Sequence, residues 1–98
     1  MISSEGVYKA REDVICRTIE NESVLILPEE GSFVVINAIG AFIWQRLDGH
    51  RTLAQIVDEI MDTYDVSREQ ARGDCVAFVT ALMERGLVTT SQVPASPS

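Results

Sequence analysis

Between Val14 and Ile36 the apolar residues fall into three short runs separated by turn chemistry. Val14–Ile19 alternates apolar and polar side chains loosely, with Asn21-Glu22 following as a turn. Ser23–Leu27 is apolar and stops at Pro28-Glu29-Glu30-Gly31, where proline fixes φ and glycine is free to take a positive φ. Phe33–Ile36 is the third run. Runs of this length, divided in this way, predict a meander of three antiparallel strands.

At Asn37 the period changes from two to that of a helix. Asn37 can cap a segment containing Ala38, Ile39, Ala41, Phe42, Ile43, Trp44 and Leu47, which stops at Asp48-Gly49. Thr52 with Gln55, and Ser67 with Gln70, have capping-box spacing. Between them Leu53, Ile56, Val57, Ile60, Met61 and Tyr64 recur on one helical face. A third helix is expected from Arg68 to Arg85, with Gly86 as its C′ residue and Leu87-Val88 as a short final strand. The expected fold class is α+β, a three-stranded antiparallel sheet followed by three helices. Residues 1–12 are polar and mixed and read as a flexible N-terminal segment, residues 13–90 as one domain, and 91–98 (SQVPASPS) as a disordered tail.

The third helix carries more apolar surface than one neighbour requires. At about 100° per residue, Ala71, Cys75, Phe78 and Leu82 form one stripe. Arg72, Val76, Val79 and Met83 form a second about a quarter-turn away. Either the helix is sandwiched between layers, or the second stripe, flanked by Arg68 and Arg72, lines an open groove. A bare sheet edge at Phe33–Ile36 would favour the groove, because an extended peptide can add there as a further strand.

Charge narrows the function classes. Eight basic residues against fifteen acidic ones give a net charge of −7, a poor start for neutralising phosphates, so no nucleic-acid partner is expected. The single histidine, His50, lies in a Gly49-His50-Arg51 loop, and Cys16 and Cys75 belong to no CxxC or Cys/His cluster. No metal site, cofactor, phosphate-binding glycine loop or catalytic set is therefore legible, and the chain reads as a non-enzyme. No basic stretch followed by an apolar one opens the chain, and no apolar run nears the about 18 residues of a membrane span. A cytoplasmic protein with reduced thiols and no membrane partner is expected.

The stretch from Gly31 to Gly49, GSFVVINAIGAFIWQRLDG, resembles the middle of PqqD-like proteins: a glycine turn, a hydrophobic strand ending in Asn, and a helix with an aromatic before Asp-Gly. Thr52 with Ile56-Val57, then Tyr64-Asp65-Val66, Asp74-Cys75-Val76 and Leu82–Val88, continue the likeness, which covers about residues 13–88. The resemblance implies a winged helix-turn-helix-like recognition element for ribosomally made, post-translationally modified peptides. In such proteins the leader of a precursor peptide adds to the third strand and packs on the third helix. Carried over, the peptide-binding residues are Ser32, Phe33, Val34, Val35 and Ile36 on the strand, and Arg68, Arg72, Val76, Val79 and Met83 on the helix. The implied partners are a precursor peptide and a modifying enzyme, such as a radical SAM enzyme in PQQ biosynthesis or a leader peptidase in lasso-peptide biosynthesis. The Asn37–Trp44 segment is at least as similar to the free-standing lasso-peptide type, and a long basic N-terminal approach of the PQQ type is missing.

Two other readings use the same features. A homodimerisation or scaffold domain would pair the open edge with a second copy. A DNA-binding winged-helix regulator would use the third helix, which carries Glu69, Asp74 and Glu84 against Arg68, Arg72 and Arg85 and so adds no net positive charge.

Overall fold

The protein, seen in a computed structural model that describes residues 2–20 and 22–90, is α+β, with two small antiparallel sheets and three helices. Asn21, expected in a turn, and the expected tail at 91–98 lie outside the described residues.

The three expected strands form one sheet: β2 (Ile15–Ile19), β3 (Glu22–Leu27) and β4 (Ser32–Ile36), in the order β2-β3-β4. β3 and β4 are joined through Pro28–Gly31, where Gly31 takes a φ of 66° and its N–H donates to the Leu27 carbonyl at 2.9 Å. The register pairs Ile26 with Phe33, Val24 with Val35 and Leu25 with Val34. Alternation then turns Leu25, Leu27 and Ile36 into the core, while Phe33 and Val35 stay exposed on the opposite face.

The second sheet was not expected. It joins β1 (Val7–Ala10), β5 (Asp48–Thr52) and β6 (Val88–Thr90) in the order β5-β1-β6. The flexible segment expected over residues 1–12 is thus corrected by a central strand in which Tyr8 is buried. The Gly49-His50-Arg51 loop is likewise corrected to part of β5. There Gly49, at φ 84°, accompanies an irregular register against β1, and the Asp48 carboxylate accepts from the N–H groups of His50 and Arg51. Leu87-Val88 heralded β6, which pairs with β1.

The helices follow their punctuation. α1 (Ala38–Gln45) is capped by Asn37, whose side-chain oxygen accepts from Gly40 N–H at 2.7 Å. α2 (Leu53–Thr63) opens on the reciprocal Thr52–Gln55 box, and α3 (Arg68–Glu84) on Ser67. α3 ends where Gly86 takes a φ of 76° and Leu87 N–H returns to the Leu82 carbonyl. One core gathers Leu25 from the β2-β3-β4 sheet, Ile43 from α1, Ile56 and Ile60 from α2, and Cys75 and Val79 from α3, all fully buried. No helix among the described residues is long and apolar enough to cross a membrane.

Candidate functional site

β4 is an edge strand: β3 pairs with it on one side, and no described strand pairs with the other. Beyond that free edge α3 stands off, leaving a trough of about 360 Å³ between Val34–Asn37 and the residues Phe78, Ala81, Leu82 and Arg85. A second hollow of about 210 Å³ continues past Asn37 along α1, lined by Ile39, Gly40, Ile43, Asp74, Ala77 and Phe78. The two share Asn37 and Phe78 and form one groove between β4–α1 and α3. Its width has a local cause. Ala77 and Ala81 are small and exposed, so α3 presents little side chain there apart from the half-buried Phe78 ring.

Gly40 sets the position of that ring. A Cβ at Gly40 would lie 2.8 Å from Phe78 Cε1, closer than real contacts allow. Only a residue without a side chain lets the ring lie against the first turn of α1. The groove's ends differ in charge: Asp74, which accepts from Gln70 Nε2 at 3.0 Å, stands at one end, and Arg85 at the other.

The strand half of the expected site lies together along the edge. Val34 and Ile36 face α3 and the core, Phe33 and Val35 face outward, and Ser32 is exposed beside the hairpin turn. The helix half does not join it. Val79 is 0% exposed and belongs to the core. Arg68 pairs with Asp58 at 2.9 Å, and Arg72 Nε donates to Ser4 Oγ at 3.3 Å. Met83 lies beside Ile2 and Thr80, and Val76 is half-buried against the core. This correction has a simple geometry. The buried stripe runs through Ala71, Cys75, Val79 and Leu82, and the flank carrying Arg72, Val76 and Met83 lies beside residues 2–4. The groove opens on the other flank, through Asp74, Ala77, Phe78, Ala81 and Arg85, roughly 175° around the helix from the expected stripe. Its signal was available as small residues and one aromatic at i, i+3, i+4 and i+7, but alanine adds little to a hydrophobic count.

Elsewhere the chemistry is quiet. Burial, then the neighbouring Asp74 carboxylate, pushes the Cys75 thiol up to about 12, so it stays protonated. His50 is exposed. Among the described residues no three His, Cys, Asp or Glu side chains are gathered to hold a metal ion. A second apolar hollow, of about 420 Å³, lies on the outer face of the β2-β3-β4 sheet around Ile19, Val24, Ile26 and Phe33.

Against known families, the model of coenzyme PQQ synthesis protein D (PqqD) matches residues 22–88, more than half of the chain. The chain belongs to the PqqD family. Comparison with curated proteins gives no match. Among solved structures, this PqqD-family chain is similar to TbiB1 in complex with the TbiA(beta) leader peptide, at 27% identity and a TM-score of 0.69, over 92% of this chain and 99% of that one. It is also similar to a lasso peptide synthetase B1 complexed with its leader peptide, at 27% identity and a TM-score of 0.71, over 84% and 96%. The PqqD truncation of Methylobacterium extorquens PqqCD, a stand-alone RiPP recognition element, shares the fold at 22% identity and a TM-score of 0.77, over 91% and 95%.

Proposed function

We propose that this PqqD-family domain is a non-catalytic recognition module that holds the leader of a ribosomally made precursor peptide in the β4–α3 groove. The observation that carries the reading is the unpaired β4 edge facing an open groove with an apolar floor of Ile36, Phe78 and Leu82. A strand added there gains main-chain hydrogen bonds from β4, and its alternate side chains enter the groove. The two relatives bound to leader peptides support the same reading. The groove offers affinity and no reactive group. Its contribution to a reaction is effective concentration: the leader is held here, a modifying enzyme or leader peptidase docks, and the core peptide stays near chemistry located elsewhere.

Calorimetric titration with leader peptides encoded beside this gene is the direct test, with saturable micromolar or tighter binding expected. Two proline variants locate the site. In an antiparallel ladder successive residues turn their N–H groups to opposite neighbours, so of Val34 and Val35 one addresses β3 and the other the open edge. Val34→Pro and Val35→Pro should therefore differ: one loses thermal stability, while the other stays folded and loses the leader. Two folded variants that both bind normally would place the leader elsewhere.

A second reading has its own observation. Phe33 and Val35 are 67% and 57% exposed beside the same edge, which suits pairing with a second copy. Sizing at increasing dilution, with and without leader, separates the two. A dimer that leader dissociates uses the same edge, and a monomer throughout removes the dimer reading.

A further inference from the structure

We infer that the groove sorts its peptides by the order of their charges, taking a basic side chain first and an acidic one after it. This rests on the reading of the groove as a peptide site. The carrying observation is the pair of charges at its two ends, Asp74 beside Gly40 and Arg85 beside Val34. Neither forms an ion pair among the described residues, a state Arg85 shares with Arg17 and Arg72, so its charge is open to a carboxylate of a bound peptide.

The spacing follows from the two repeats. Eleven residues of helix from Asp74 to Arg85 rise about 16 Å, which an extended peptide covers in about five residues at roughly 3.3 Å each. Side chains facing the groove recur every second residue, so the two charges stand four or six positions apart, with an apolar residue between them over Phe78. Every strand pair described is antiparallel. A peptide continuing that pattern runs from the Asn37 end of β4 toward Ser32. It meets Asp74 first and Arg85 last, so lysine or arginine precedes aspartate or glutamate. The N-terminus of α1 near Asp74 carries about half a positive charge. Its Gly40 N–H is already taken by Asn37, and the full charge of the carboxylate outweighs it.

The probe is a library of random nine-residue peptides displayed on their own mRNA and selected on the immobilised protein. The wild-type pool should be enriched in the basic–apolar–acidic order at the stated spacing. A resynthesised member should lose roughly fivefold in affinity when its two charges are exchanged. The Asp74→Lys, Arg85→Glu double variant should select the reverse order. Arg85→Glu alone should lose the acidic preference and keep the basic one. Circular dichroism melts check that each variant is folded. A wild-type pool of apolar extended peptides without charge order, or an unchanged order in the double variant, overturns this inference and leaves the groove reading standing. An empty wild-type pool overturns both.

Discussion

At Gly40 a single missing side chain shapes the groove. The Phe78 ring lies where a Cβ would stand, at 2.8 Å from Cε1 and 3.2 Å from Cδ1. Phe78 is half-buried with the groove open beside it, so the ring of Gly40→Ala can relieve the clash by swinging outward. The expected result is a thermal stability within about 1 kcal/mol of wild type, because the helix gains from alanine what it loses to the displaced ring. Leader affinity should fall roughly tenfold, since the ring then occupies the peptide's space. Unchanged affinity in calorimetry would mean that the ring does not border the bound peptide. The same pair of residues shows what a sequence hides. Phe78 and Val79 are adjacent and both apolar, and periodicity placed Phe78 inside and Val79 in the groove. Burial reverses them. The rotation of a helix about its axis is fixed by what packs on each flank, and one flank here lies beside residues 2–4, which carry too little apolar pattern to announce themselves.

At the scale of elements, local signals were readable and distant pairings were not. The β2-β3-β4 meander, the Asn37 cap and the Thr52–Gln55 box depend on residues close in sequence, and each stands where its pattern put it. β1 and β5 are made by partners some forty to eighty positions apart, so neither has a neighbouring turn to mark it. The two sheets are further tied by Arg11. Its guanidinium meets Asp13 at 2.6 and 3.0 Å and Glu30, in the β3–β4 turn, at 3.0 and 3.1 Å. These hydrogen bonds hold the Glu30 and Asp13 carboxyls below their ordinary range. A carboxylate whose folded value is depressed contributes stability above its unfolded value and loses it as pH falls through the folded one. The melting temperature of wild type should therefore exceed that of Arg11→Gln most above pH 4.5, the ordinary value for Glu30. The gap should close as pH falls below it. Parallel melting curves down to about pH 3 would show that the clamp adds nothing to stability.

For the whole molecule, charge excluded more than it identified. A net charge of −7 argued against nucleic acid, but binding by main-chain addition leaves no signature in composition, because the edge of β4 is backbone. The groove's existence is a property of the assembled layers; the bare Phe33–Ile36 edge and the order of motifs pointed to it from the sequence, while the apolar stripe put its helix wall on the wrong flank. The β5-β1-β6 sheet has one more consequence, which concerns time rather than place. Its central strand pairs Tyr8 with Thr90, while the other sheet is complete by Ile36. During synthesis β1 must wait for β5 at Asp48–Thr52, and the complete sheet for the chain to Thr90, and closing such long loops is slow compared with forming hairpins. The edge on β4 can thus exist before the domain has closed. In refolding followed by pulsed hydrogen exchange, amides of β3 should be protected before those of β1. Simultaneous protection would show that the two sheets form as one unit.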